Sequence, residues 1–551
     1  MANTARSSMT FINDTLDAPA PLPAALQAEI ERDARETAFY GGDDPHDPAA
    51  LKKPVAPAQP DVDADLVTWD GPADPANPQN WSRRYKWCIT LVCCLMTVNV
   101  TFASSAPSTT TAAIAADFHV SAEQTYLITT VFLLGYVTGP VLWGPGSELF
   151  GRRPIFIAAM AAYTLFHLGQ ALAPNIGTLL ATRLLGGVFA VAPLVNCGGV
   201  IADVWDGAGR GPATSLFTAC VFLGPVMGPI IGGFIVESYL GWRWVYWVMM
   251  IFAGFCTAVM ILCLPETFAP VILQKKARAL RRAAPAQNAS LYAEHERLDW
   301  SARGVLHRTL YRPFHMLATE PVLVLFTLYL SVIYGVLYAL FEAFPIIFIT
   351  KRGFTIAQSG LVFIGVGVGT SLGAWLNLRF SRHYPGLMVK WRGFPPPEER
   401  LYGAMVGAVC FVAGIFWVGW TGEFARVHWA APAVGTVLIG MSVSLIFMSL
   451  LSYLIDTYLM YSSSAFAANT IVRSAVAAAF PLFTVQMFTK LGVGWACTLL
   501  GCVGLLLTPA PFLFYKYGPR IRAQSAFAPG IDLKIAKELA EMEEKAGEKA
   551  V

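Results

Sequence analysis

Twelve long apolar stretches, most of them without a single charged side chain, recur along this 551-residue chain. They lie at about residues 86–107, 124–143, 154–172, 176–198, 213–236, 243–264, 320–348, 358–377, 402–420, 430–454, 464–487 and 493–515. A run of roughly 18 or more such residues has the length of a helix that crosses a bilayer. Only 14% of the residues are charged, against about 25% in soluble proteins, so too few charges remain to wet a soluble surface. The chain reads as an all-α membrane protein with twelve transmembrane helices. Soluble enzymes are excluded.

The runs fall into two sets of six. The reading is a disordered tail over 1–80, a six-helix bundle over 81–265, a polar central loop over 266–318, a second bundle over 319–520 and a tail over 521–551. The tail is expected to be disordered because clusters such as Pro54 to Pro60 cannot bury enough apolar surface to fold. With the N-terminus inside, outward loops carry only Arg243, Lys351, Arg352, Arg426 and Lys490. Inward loops carry Arg152, Arg153, Arg210, Arg379, Arg382, Lys390, Arg392, Arg400 and the dense series from Lys275 to Arg282. Positive charge is retained on the cytoplasmic side, so both termini and the central loop are expected there. Net charge is only +3, which gives no reason to expect nucleic acid. The ten cysteines sit in or beside apolar runs with no CxxC pair, as packing residues; no metal or cofactor is expected. Asp203 and Asp456 are 253 residues apart, and Gly187 and Gly440 are separated by the same interval, which suggests that one half duplicates the other.

Two segments carry mechanism. Between the second and third runs, Gly144-Pro145-Gly146-Ser147-Glu148-Leu149-Phe150-Gly151-Arg152-Arg153-Pro154 offers glycines for a tight turn beside one acid and two guanidinium groups. Such a cluster can exchange ion-pair partners as a gate; the plainer reading is a basic loop kept by the charge bias. In the fifth run, Gly224, Pro225, Gly228, Pro229, Gly232 and Gly233 fall within ten residues. They remove backbone hydrogen bonds and side-chain bulk, which predicts a kinked helix that packs closely and serves as a rocking or sealing surface. No Gly-Lys-Ser or Gly-Lys-Thr occurs, so ATP hydrolysis by this chain is not expected and an ion or cargo gradient must drive it.

These residues resemble the major facilitator superfamily. The turn is similar to that family's G-x-L-a-D-r-x-G-r-k loop, with Glu148 in the acidic place and Gly146 where Leu is usual. Arg183 with Gly187 resembles its fourth-helix R-x-x-x-G element, and the fifth run its G-x-x-x-G-P-x-x-G-G antiporter motif, which the family associates with proton-driven export. Asn77 to Trp81, Gly241 to Trp244, Pro265 to Pro270, Tyr334 to Tyr338 running on to Pro345, and Tyr515 to Arg520 resemble the fungal drug:proton antiporter branch, polyamine and multidrug exporters among them. The resemblance covers about residues 66–530 and implies two pseudo-symmetric six-helix bundles around a cavity that opens alternately to each side.

Charges inside membrane spans are costly unless paired or functional. The resemblance makes Arg183 a candidate for proton coupling; the alternative is a structural partner for a carbonyl or acid. Glu342 is the second candidate, since Tyr334, Tyr338 and Glu342 share one helix face and an acid beside two phenols can hold a proton or attract a cation. A hydrated Glu near a helix end is the plain alternative. Arg473 is read as binding neighbouring helix ends, and Asp203 and Asp456 as ion pairs of a gate or scaffold. The resemblance also makes Glu148 a latch against the start of the eleventh helix, whose N-terminus favours a carboxylate. Helix identity proposes Asn99, Phe102, Asn196, Tyr334, Tyr338, Met441, Ser444 and Met448 as cargo lining; such side chains also simply pack or face lipid. The alternation of acids and lysines from Asp532 to Lys549 reads as a solvated helix.

The expected function is export of a small amphipathic organic molecule, such as a secondary metabolite, glycolipid or drug, in exchange for protons. The expected partners are cargo, protons and the plasma-membrane bilayer, with a monomer sufficient. A polyamine or organic-acid transporter, and a nutrient receptor on a transporter fold, are the competing readings.

Overall fold

The computed structural model describes residues 65–537, apart from residues 72, 206–208, 286–287, 298–300, 302–303, 305–306, 392 and 529. The rest of the N-terminal tail, Arg392 and the C-terminal residues beyond 537 lie outside it. Among the described residues, twelve helical segments are long and apolar enough to cross a membrane. They are α1 (Arg83–Phe118), α2 (Ala122–Phe150), α3 (Arg152–Ala171), α4 (Ile176–Val204), α5 (Arg210–Glu237) and α6 (Arg243–Cys263), then α7 (Pro321–Thr350), α8 (Ile356–Met388), α9 (Tyr402–Glu423), α10 (Ala430–Tyr458), α11 (Ser462–Leu491) and α12 (Val493–Arg522). They form two six-helix halves that meet where α2 lies on α11 and α5 lies on α8.

Glycine sets the spacing within each half. A Cβ on Gly187 of α4 would stand 2.2 Å from the Phe132 carbonyl of α2, and one on Gly440 of α10 would stand 2.1 Å from the Val366 carbonyl of α8. The two glycines that share a sequence interval therefore make the same backbone-on-helix contact in the two halves. With no hydrophobic drive between helices in lipid, close approach of this kind is a main source of association.

Proline is accommodated by neighbours. Pro229 has no N–H to bond the Pro225 carbonyl one turn back, and Ser105 of α1 donates to that carbonyl at 3.0 Å. Pro107 likewise leaves the Ala103 carbonyl free, and Arg183 of α4 donates to it from Nη1 at 3.0 Å. As a result α5 stays continuous through its two interior prolines, Pro225 and Pro229, and α1 passes through a 3-10 turn at Ala106–Thr110 before ending at Phe118.

Four expectations change. The turn after α2 is made by Gly151 alone, at φ +95°; Gly144 and Gly146 are helical. The central loop contains a basic helix, Ala269–Ala283, that buries Val271 and Ala277. Part of the expected N-terminal tail packs on the central loop, where Val67 lies with Ala277 and Ala293. Val67 also donates its backbone N–H to the Tyr292 carbonyl at 2.9 Å, and Lys276 reaches Asp70 at 2.6 Å. Arg281 grips Glu296 with two 2.8 Å bonds, which hold that carboxyl below the usual range. Asp532 is likewise no part of a solvated helix: it is buried against Arg522, which also forks onto Glu398 at 2.9 Å. Burial raises the Glu398 carboxyl although Arg522 opposes the shift.

Candidate functional site: the seam between the halves

The central loop and both tails emerge on one face of the bundle, called here the loop face; the opposite side is the far face. On the far face the halves are joined. Glu237, at the end of α5, accepts a 2.8 Å bond from the Ala357 backbone N–H at the start of α8. Gln486 of α11 donates to Glu123 of α2 at 3.3 Å. A Cβ on Gly360 would lie 2.4 Å from the Pro229 carbonyl, and one on Gly233 would lie 3.0 Å from the Ala357 Cα. Gly224, Gly228 and Gly232 sit equally tightly against α1, where added Cβ atoms would meet Thr101, Ser105 and Thr109. Helix α5 thus packs on its own half with one glycine row and seals the seam with Gly233 and the Pro229 backbone.

At the loop face the strong ties stay within each half. Arg152 meets Asp203 at 3.3 Å, and Arg400 meets Asp456 at 2.8 Å. These are the ion pairs anticipated for the two aspartates. Glu266 accepts backbone N–H bonds from Arg152 and Arg153 at the start of α3, at 2.9 and 3.3 Å, and from Thr267 and Phe268 at 3.1 Å each. The Arg153 side chain donates to the Ile261 carbonyl at 3.1 Å. Glu148 is exposed and has no hydrogen bond or ion pair among the described residues. The carboxylate set at a helix N-terminus is therefore Glu266 on α3, in place of Glu148 on α11.

Midway through the membrane, the halves meet in a cluster of rings around a cation. Phe222 of α5 lies edge-on to Phe447 of α10 at 4.9 Å. Tyr334 of α7 is 5.9 Å from Phe447 and 5.0 Å from Tyr338. Tyr338 donates at 2.8 Å to Ser104 of α1, and its hydroxyl is 3.4 Å from that of Tyr334. The Arg473 guanidinium of α11 lies 4.8 Å from the Tyr334 ring centre and 5.3 Å from that of Phe447. Phe222, Tyr334, Phe447 and Arg473 each stand about three turns from the loop-face end of their helix. The expectation that Arg473 serves helix ends is corrected: α11 begins at Ser462, which carries Arg473 to mid-membrane.

The other anticipated residues divide. Arg183 is fully buried over the Phe132 ring at 4.0 Å, and its Nε and Nη1 donate to the Ile128 and Ala103 carbonyls. Glu342 lies one turn beyond Tyr338 and is 5% exposed, with its Oε1 unpartnered among the described residues. Asn99 and Phe102 occupy the side of α1 away from Ser104; Phe102 faces Phe252 of α6, and the Asn99 side chain has no partner among the described residues. Asn196 ties α4 to α2 through Ser147 and the Trp143 carbonyl. The Met441 backbone and Ser444 pack under Gly369 and Gly373 of α8, while the Ser444 hydroxyl points at the Met448 sulfur. Tyr334 and Tyr338 are thus the anticipated lining residues that the cluster unites, and Ser104, Phe222, Phe447 and Arg473 join them. A phenylalanine in a membrane helix carries no sequence signal of facing a partner; Arg473 carried one by its charge.

Comparisons with known proteins agree with this architecture. Residues 91–481 match the Major Facilitator Superfamily profile. The chain is 41% identical over 509 residues to a citrinin biosynthesis cluster MFS transporter, mrr1, of Monascus ruber, which covers 92% of this chain and 99% of that protein. It is 40% identical over 493 residues to the MFS-type efflux pump MFS2 of Trichophyton rubrum, covering 89% and 82% respectively. Among solved structures, the proton:xylose symporter XylE superposes with a TM-score of 0.57 at 17% identity, over 79% of this chain and 96% of that one.

Proposed function

This chain belongs to the major facilitator superfamily, and from that premise we propose that it exports a small amphipathic organic molecule in exchange for protons. The observation that carries the reading is the double role of α5. Its glycines hold it on α1, while Pro229 and Gly233 close the far side against α8. The segment similar to the family's antiporter motif is thus the surface that must part when the far face opens. With the far side joined and the loop-face ion pairs kept within each half, the conformation is the one that receives cargo from the loop face. That face is the cytoplasm in this reading, and the membrane is the plasma membrane. Alternating access then needs only that cargo and proton bias the two states differently. A relative named for a biosynthesis cluster and another named as an efflux pump support a secondary metabolite as cargo. The Arg152–Asp203–Glu266 group serves as the loop-face hinge, Glu148 as a latch made in the other state, and Arg183 and Glu342 as the candidates for carrying the proton. One subunit contains the whole pathway.

Comparing metabolites in the medium and cells of deletion and parent strains tests the direction. The deletion is expected to deplete at least one compound outside and accumulate it inside; an unchanged pair of profiles overturns export. Proteoliposomes given that compound and an imposed pH gradient test the coupling, and flux indifferent to the gradient refutes antiport.

A further inference from the structure

Arg473 is a permanent cation at mid-membrane, yet no hydrogen bond or ion pair engages it among the described residues. Its Nε is buried without a partner, while the residue as a whole is only partly buried. Its surroundings are the faces of Tyr334 and Phe447, with Phe222 and Tyr338 one ring further out. Ring faces attract a guanidinium but leave its N–H fork without acceptors. A fork of that shape fits a carboxylate, which it can grip through two parallel bonds. Two rings, of α7 and α10, stand beside it and two more, of α5 and α7, lie against those, and rings of that kind hold flat conjugated groups. The cluster also spans the seam, since Phe222 belongs to one half and Arg473, Tyr334 and Phe447 to the other. A molecule seated there touches both halves, as cargo must if its binding is to bias their movement.

We propose that this cluster is the cargo subsite for an organic anion, with an ionised acidic group on Arg473 and a flat unsaturated ring among Phe222, Tyr334, Tyr338 and Phe447. The proposal rests on the transporter reading above and narrows its cargo class. It disfavours polyamines at this subsite, because the charge against the Tyr334 and Phe447 rings is the Arg473 cation.

The probes are 2-naphthoate, its neutral amide and 2-naphthylmethylammonium, three compounds of one shape and different charge. Binding to the purified full-length protein in nanodiscs is measured by tryptophan fluorescence and by thermal stabilisation. The parent protein is expected to bind naphthoate about tenfold tighter than the amide, the scale of one charge-assisted bond, and the ammonium more weakly still. Arg473→Gln is expected to erase that preference while still binding the amide, which also certifies its fold; Arg473→Lys retains part of it. Equal binding of naphthoate and amide, preference for the ammonium, no binding of naphthoate, or an undiminished preference in Arg473→Gln overturns the proposal. If Arg473→Gln does not fold, the parent's ranking of the three probes and the Arg473→Lys result decide it. These measurements involve neither flux nor a pH gradient, so failure of the antiport reading leaves them standing, and their failure leaves export untouched.

Discussion

Glu266 holds two chain segments with one carboxylate, since four backbone N–H groups from α3 and from its own turn converge on it. Replacing it with Ala removes every one of those acceptors. Glu266→Ala is expected to cost about 1–2 kcal/mol, seen as earlier melting in detergent, with Glu266→Gln intermediate. Glu148→Gln has nothing to lose in this conformation, so its melting should match the parent while its transport falls. A parallel drop in surface level and flux would remove the latch. The sequence made Pro265-Glu266-Thr267 conspicuous without revealing what the acid does, because its partners arrive only when α3 folds back beside it. Arg473 was misjudged for a related reason. The run from about residue 464 already sets Arg473 more than two turns inside α11, but the rings that face it, Tyr334 and Phe447, arrive only when α7 and α10 pack beside it.

Helix number was legible because each apolar run is long; helix ends were not. Glycine and proline mark ends in water, where solvent can take over a lost hydrogen bond. Inside a bilayer no such acceptor exists, so α5 continues through Pro225 and Pro229 to Glu237. Glycines differ sharply in what they do. Gly440→Ala drives a methyl into the Val366 carbonyl and is expected to destabilise by about 1–3 kcal/mol. Gly144, with nothing within 4 Å of an added Cβ, should instead gain about 0.5–1 kcal/mol on becoming Ala. Melting of the two variants beside the parent checks both signs. On the far face, Glu237→Ala deletes the bond that α5 makes to the start of α8. Losing one charge-assisted bond of about 1.5–3 kcal/mol should loosen that seam, read as faster hydrogen–deuterium exchange over residues 356–361. Unchanged exchange there would mean that the bond contributes nothing to closure.

Across the whole molecule the two halves repeat each other in substance. Gly187 and Gly440 make equivalent contacts, and so do the Arg152–Asp203 and Arg400–Asp456 pairs. This much was written in the spacing of two aspartates and two glycines. The meeting of the halves was not, because it depends on rings and backbones far apart in sequence. Orientation has its own test. In sealed right-side-out vesicles, trypsin should leave the Arg281-Arg282 helix intact until the membrane is permeabilised; cleavage before that would invert the topology. The α5–α8 seam, finally, is closest where backbone lies on backbone, at Gly360 on the Pro229 carbonyl and at Gly233 on Ala357, so these two contacts can part without any side chain changing rotamer. That economy leaves no tolerance for bulk. In a saturation scan, damaging alleles should recur at Gly233 and Gly360, where a single methyl is already a wedge. Leu223, exposed on the same helix as Gly233, should accept almost any apolar replacement.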